Sequence, residues 1–277
     1  MPSLPASLTK ARFWFWRVRT WGDEMDQAMQ MPDLVSASST SSSSEFEGMD
    51  PVSLGLRDLG TRLEELSIRA LLTPDLFRSS SWPRMRHLDV EFHPCAPDGS
   101  WYFSGPRGED PHPVGFAITE EEHYPPGRED FEETHDLFDR EEGDCRTEDD
   151  MWDTRQPDMF RIRPITERIE PLLLAFALSL QPQSMPSLKS AEMFTWLHWS
   201  PSEERAREYE ASDDVPPQDE DERVMFRWGV KYEAPDGERK GKLTWQVGDW
   251  RPGNEVLQAF KQLVDGDGEN EEWEAFV

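Results

Sequence analysis

The run Glu91-Phe-His93-Pro-Cys95 gathers a carboxylate, an imidazole and a thiol within five residues. Such a set can supply ligands to a metal ion, or pair a thiol nucleophile with an imidazole base. In a strand, residues 91, 93 and 95 share one face. Pro94 disrupts that geometry, and no fourth ligand with a recognised spacing follows. The run therefore reads more plainly as a strand end entering the loop "PCAPDG". The retained alternative is an α/β enzyme with a pocket near Glu91, His93 and Cys95. "HPCAPDGSWYFSGPRGEDP" lacks GxxxxGK[ST] and does not open a helix, so it is a turn and short hairpin rather than a phosphate loop. Acid–base catalysis needs two carboxylates held in a buried cleft, whereas tracts such as "EEE" and "EDD" are solvated. No D-x-[DN]-x-[DN]-G loop ending in Glu appears, so no calcium site is assigned. The sequence assigns no catalytic, cofactor-binding or metal-binding residue.

Two aromatic runs are stronger candidates for recognition. They are Phe13-Trp14-Phe15-Trp16 and Phe194-Thr-Trp196-Leu-His-Trp199. In a strand, Phe13 and Phe15 face one side and Trp14 and Trp16 the other. Either both faces are buried, or one lines a concave binding surface. Trp14, Trp16, Trp196 and Trp199 are the candidate partner-binding residues, because tryptophan is enriched among binding hot spots.

The elements that must position these residues can be read from local signals. Asp50 caps a helix with Pro51 at its first position, Val52, Leu56 and Leu59 recur at helical spacing, and Gly60 stops it. Ile165, Ile169, Leu172, Leu173, Phe176 and Leu180 form one helical stripe, which Pro171 is expected to kink or divide. Val224–Tyr232 and Lys242–Val247 flank Pro-Asp-Gly and Lys-Gly, a hairpin signal. "GNEVLQAFKQLVD" forms an amphipathic helix with Val256, Leu257, Phe260, Leu263 and Val264 facing in.

One spacing recurs: an apolar residue, two others, Leu or Ala, one other, then an apolar residue. It occurs at Leu8/Ala11/Phe13, Leu63/Leu66/Ile68, Met85/Leu88/Val90 and Leu188/Ala191/Met193. Two of these copies also share "MPSL", at residues 1–4 and 185–188. The second and third copies lie 22 residues apart, inside the period of a leucine-rich repeat. Each short strand would be returned to its neighbour by a crossover, which parallel pairing requires. Helix 51–60 precedes strand 63–69, helix 165–180 precedes strand 188–199, and a turn capped by Thr73 with Pro74 serves between them. The expected fold is an irregular leucine-rich-repeat-like α/β solenoid of parallel strands and crossover helices, with a C-terminal β-hairpin and helix. A compact α/β layer domain is the alternative.

Composition narrows the partners. The 277 residues form one domain with insertions at about 22–49, 118–157 and 201–222; 36% of residues are hydrophobic, but 12 are Trp and 15 Phe. Fifteen of the 31 residues 120–150 are acidic, "SDDVPPQDEDE" is a second acidic tract and "SASSTSSSS" is of low complexity. All three are expected to loop out as mobile insertions. The net charge of −28 and pI of about 4.5 argue against nucleic acid and anionic membranes, whose phosphates demand Lys and Arg. No apolar run approaches the roughly 18 residues of a membrane span. Two cysteines, Cys95 and Cys145, make no disulfide framework, and no secretory leader is visible, so the chain reads as cytosolic or nuclear.

At this point several runs carry a resemblance. "LGTRLEELSIRALLTPDLF", "SWPRMRHLDVEFHPCAPDGSWYFSGPRGE", "MFRIRPITERIEPLLLAFA", "MPSLKSAEMFTWL", "VMFRWGVKYEAP" and "KGKLTWQVGDWRP" resemble the C-terminal region of F-box and F-box-like proteins of filamentous fungi. The resemblance implies a solenoid-like recognition region behind an F-box, the helical hook that binds a Skp-type adaptor in a cullin ubiquitin ligase. The chain opens directly on the strand "LTKARFWFW", so no F-box helix is visible. It is expected to be a fragment, a shortened paralogue or a degenerate copy, with adaptor binding only if an F-box lies upstream. The expected function is non-enzymatic: recognition of a protein substrate with a basic surface, without a cofactor.

Overall fold

The computed structural model describes residues 5, 7–15, 31–38, 48–78, 81–105, 160–199, 225–237, 239–264 and 271–274. Their elements form a mixed α/β fold around a mostly parallel sheet. In chain order the strands are β1 (Lys10–Trp14), β2 (Glu65–Ala70), β3 (His87–Phe92), β4 (Phe103–Ser104), β5 (Arg163–Pro164), β6 (Ser190–His198), β7 (Met225–Glu233), β8 (Lys242–Gln246) and β9 (Glu271–Glu274). The helices are α1 (Leu34–Ser38), α2 (Pro51–Gly60), α3 (Thr166–Ser179) and α4 (Asn254–Lys261), with a 3-10 turn at Pro74–Leu76. Seven strands make one sheet in the order β1-β2-β3-β6-β7-β8-β9, and β4 pairs with β5 apart from it. β1, β2, β3 and β6 run parallel.

The recurring spacing has a physical counterpart. Ala11 pairs in register with Leu66, Leu66 with Leu88, and Leu88 with Ala191. One step along, Phe13, Ile68, Val90 and Met193 form the adjacent row. Every copy is entered through the same turn, in which its first apolar N–H donates three residues back. Leu8 donates to Pro5, Leu63 to Gly60, Met85 to Trp82 and Leu188 to Met185, at 3.1, 3.2, 3.1 and 3.2 Å. The next carbonyl then accepts two N–H groups from the following strand: Thr9 from Glu64 and Glu65, Glu64 from Arg86 and His87, and Arg86 from Lys189 and Ser190. The equivalence matches Pro5–Leu8 to Met185–Leu188, so the "MPSL" at residues 1–4 is out of phase with it by four residues.

The repetition stops at β6. β7 and β8 return antiparallel to it, and β9 adds in parallel to β8. The sheet is neither closed nor a solenoid along its length.

One face of the sheet holds the core. Leu66, Ile68, Ala70, Leu88, Val90, Phe92, Ala191, Met193, Val230 and Trp245 are buried in one cluster with residues of α2, α3 and α4. Phe176 of α3 meets Phe77 and Phe260 edge-on or tilted, at 5.2 and 6.2 Å between rings, and Phe260 of α4 meets Trp245 at 4.9 Å. Aromatic pairs at such distances add to burial, which supplies most of the stabilisation.

Several local expectations hold. The Asp50 carboxylate accepts from Val52 and Ser53 N–H at 3.1 and 2.8 Å. Thr73 caps the 3-10 turn through Asp75 N–H, at 3.3 Å. The hairpin joins β7 to β8, and α4 buries Val256 and Phe260.

Others need correction. Val52 is exposed, and α2 buries Ser53, Leu56 and Gly60 instead. Gly60 is helical with an ordinary backbone angle; a Cβ there would collide with the Trp82 indole, so close approach explains the glycine. Pro171 does not divide α3, which runs unbroken from Thr166 to Ser179. The proline removes a single N–H, the one that would donate to the Glu167 carbonyl, and the helix continues past it. Part of the insertion read at 22–49 is tied to the fold. Asp33 caps α1 by accepting from Val35 and Ser36 at 3.0 and 2.9 Å, and Leu34 N–H donates to Pro97 at 2.8 Å. The insertions read at 118–157 and 201–222 lie outside the described residues.

Charge divides unevenly. The described residues carry nineteen acidic and nineteen basic side chains, so the whole net charge of −28 belongs to the remaining segments.

Candidate functional site

The face of the sheet opposite the helices is built by strand alternation. Because α2, α3 and α4 pack on one side, residues of opposite parity point away from the core. Three rows result. The first reads Lys10, Glu65, His87, Ser190, Glu233, Lys242; the second Arg12, Ser67, Asp89, Glu192, Lys231, Thr244, Glu272; the third Trp14, Arg69, Glu91, Phe194, Gly229, Gln246, Glu274. Trp196 and His198 extend the face along β6, opposite Arg227 and Met225.

Most charges on this face are paired. Lys10 meets Glu65 at 2.6 Å and Lys242 meets Glu272 at 2.8 Å. Arg69 bonds Glu91 at 2.7 Å and lies over the Trp14 ring at 4.8 Å. Arg227 bonds Glu192 at 2.6 Å, donates to Gln246 at 2.7 Å and lies 3.9 Å from the Phe194 ring centre. Phe194 meets Trp196 edge-on at 6.4 Å. Gly229 makes this packing possible: a Cβ there would press on Phe194 Cβ and Cα at 2.6 and 2.7 Å.

Asp89, at the centre, is different. Among the described residues its carboxylate accepts from the Ser67 hydroxyl, at 3.2 Å. Its in-register neighbour on β6 is Glu192, and Glu91 is two residues along its own strand. Like charges directly opposite in a sheet repel. Partial desolvation raises the Asp89 carboxyl and Glu192 adds to the rise, while the Ser67 hydroxyl and the Arg227 and Arg12 guanidiniums pull it back; the side chain itself is exposed. Burial also raises Glu91, with Arg69 pulling the other way. His198, at the end of the face beside the Phe160 ring, is pushed down to about 4 by burial.

The candidate aromatics separate. Trp14 is 60% exposed on the open face, and Trp196 is half-buried on the same face. Trp199 is on the other side: it is buried against Phe160 at 5.2 Å and belongs to the core. Strand parity explains the correction, since 196 and 199 differ by an odd number. Trp16 lies outside the described residues.

The Glu91-His93-Cys95 set does not converge. Glu91 sits on the open face with Arg69. His93 Nδ1 accepts the Cys95 N–H at 2.9 Å, closing a turn beyond the end of β3. The Cys95 thiol donates to Ala96 at 3.4 Å. Burial pushes the thiol up to about 12 and the imidazole down to about 4, so both are neutral near pH 7. A thiolate nucleophile requires the reverse. Among the described residues no group of three or more His, Cys, Asp or Glu side chains is placed to hold a metal ion.

The central residues Asp89, Arg69, Glu192 and Arg227 were not among the sequence candidates. Their signal was available: polar residues alternate through β2, β3 and β6, where a sheet covered on both faces would carry continuous apolar runs. No family model, curated protein or solved structure matches the chain.

Proposed function

We propose that this chain is a non-enzymatic protein-interaction module whose docking surface is the open sheet face. The observation that carries the proposal is one-sided: among the described residues helices cover one face, while the other displays Trp14, Phe194 and Trp196 around a central group of carboxylates and guanidiniums. Aromatic anchors beside charged groups are the usual make-up of a binding hot spot. Repetition of one turn and one register in four strands supports an irregular leucine-rich-repeat-like arrangement up to β6. The residue runs that resemble fungal F-box-like proteins make the partner a substrate presented to a ubiquitin ligase. A Skp-type adaptor would join only through an F-box encoded upstream.

Affinity purification of the full chain from its source cell tests this, with Trp14→Ala and Trp196→Ala as comparison variants. The proposal expects a partner that is enriched with the native chain and lost with both variants. Retention of the same partners by both variants would sink it. Failure to co-purify a Skp-type adaptor and a cullin, both with and without an extended upstream coding frame, would remove the ligase part alone.

A further inference from the structure

We propose that the outer edge of β8 is a binding site for an extended acidic–aromatic segment of a partner protein, which this chain fills with its own β9. The inference does not depend on the open-face reading, since it concerns the end of the sheet farthest from Trp14.

β9 is held as a bound peptide is held. Of the seven strands, only the edge strands β1 and β9 bury no residue fully. β9 is four residues long, Glu-Glu-Trp-Glu, and each is met by its own group. The Glu271 carboxylate accepts from the Trp245 indole N–H at 3.0 Å and lies 3.9 Å from the Lys261 ammonium. Glu272 pairs with Lys242 at 2.8 Å. Trp273 stacks on Trp245, with rings 5.1 Å apart and 7° from parallel, and the Arg251 guanidinium lies 4.3 Å from the Trp273 ring centre. Glu274 accepts from the Gln246 amide nitrogen at 2.7 Å. Arg227 sets that amide from behind by donating to its oxygen at 2.7 Å, which turns the nitrogen toward β9.

Backbone pairing along β8 is indifferent to sequence, so these side chains decide what the edge takes. Lys242, Arg251 and Lys261 beside a flat indole select carboxylates around a tryptophan. Ion pairs at an edge and one ring stack hold a strand less firmly than a buried apolar row does. β9 should therefore open before the strands it extends, and its departure uncovers all of these groups together. The resident strand, joined to α4 through residues 262–270, then acts as a built-in competitor that a partner's segment must displace.

The test uses the full chain with Glu271→Gln and Trp273→Ala, which loosen the resident strand without touching β8. Its probe is a fluorescent peptide with the sequence of residues 270–277. The loosened chain should bind the peptide, and the native chain should bind it at least about tenfold more weakly, because its own strand must leave first. The same peptide carrying Gln and Ala at those two positions should not bind. Adding Thr244→Cys and Glu272→Cys to the loosened chain places two thiols in register across β8 and β9. Their disulfide locks the strand in place, so the oxidised monomer should lose the peptide and reduction should restore it. Random peptides displayed on phage and selected on the loosened chain should carry Trp flanked by Asp or Glu. Equal binding by the locked and reduced forms, or no binding by the loosened chain, would overturn the proposal. Loss of the folded state on loosening would do the same, because β9 would then be part of the core. Selected peptides of any other kind would overturn the ligand class. A native dimer that dissociates on Trp273→Ala would assign the edge to a second copy and overturn the partner.

Discussion

Two glycines on one helix should respond oppositely to the same substitution. Gly55 and Gly60 both lie in α2, and both have helical backbone angles open to any residue. Alanine is better than glycine in a helix interior by about 1 kcal/mol. At Gly55 nothing lies within 4 Å of an added Cβ, so Gly55→Ala should collect that gain. At Gly60 the Cβ would fall on the indole of Trp82, with Nε1 at 2.7 Å and Cδ2 at 2.8 Å. Trp82 is fully buried and cannot swing into solvent. Moving it strains the packing, at a cost of about 1–3 kcal/mol. It also pulls Nε1 away from the Arg57 carbonyl, 2.9 Å distant, leaving a buried donor unsatisfied at about 1–3 kcal/mol more. After subtracting the propensity gain, Gly60→Ala should destabilise by about 1–5 kcal/mol. Urea unfolding followed by tryptophan fluorescence gives both values. A fold of this size shifts its Tm by about 2–4 °C per kcal/mol, so thermal melts provide a second measure. In a Trp82→Leu background the penalty at residue 60 should shrink sharply, a non-additivity that identifies the contact. If Gly60→Ala stabilises as Gly55→Ala does, the close approach of helix and indole is refuted.

Further outcomes follow from single atoms. The Trp228 indole N–H is buried without a hydrogen-bond partner among the described residues, so Trp228→Phe should cost less than about 1 kcal/mol, whereas Trp82→Phe loses its bond to Arg57 and should cost more; paired urea titrations compare them. Asp89→Asn removes a like-charge opposition and should leave the free protein unchanged or more stable by up to about 1 kcal/mol at pH 7. The Asp89 carboxyl is raised in the folded state, so its contribution favours folding at low pH and is lost as pH climbs through and above the ordinary carboxylate range; unfolding midpoints of Asp89→Asn should show that part of the pH dependence removed. Cys95 should resist iodoacetamide at pH 8 until denaturant is added, because burial holds its thiol protonated; peptide mass spectrometry reads the extent, and rapid native alkylation would contradict that.

Much of the scaffold was legible because it depends on periodicity and caps. The spacing shared by Leu63/Leu66/Ile68 and Met85/Leu88/Val90 places equivalent residues side by side, since both strands start one residue beyond the same carbonyl position. The cap at Asp50 and the Thr73-Pro74 turn were readable for the same reason: their chemistry is local. What the sequence hid depends on contacts far along the chain. Gly60 looks like a helix stop until Trp82 is seen against it. The buried face of α2 is masked because two of its three residues are Ser53 and Gly60. Trp199 looks equivalent to Trp196 until the strand assigns them opposite sides. The central carboxylates of the open face are unremarkable among 57 acidic residues. They stand out only once β3 and β6 are paired, and the residues between those strands include the longest acidic tract.

That pairing also has an entropic side. β2 and β3 are in register across 22 residues of sequence, as Leu66 and Leu88, whereas Leu88 and Ala191 meet across about a hundred. Closing the longer loop costs only about 1.4 kcal/mol more, because the penalty grows with the logarithm of length. Doubling it again would add about 0.6 kcal/mol. Residues 106–159, between β4 and β5, can therefore lengthen, shorten or change charge at little entropic expense to the sheet, whereas the flanking β4, β5 and α3 carry core residues. The register of β6 beside β3 is held at the strand entrance instead, where the Arg86 carbonyl receives Lys189 and Ser190 N–H.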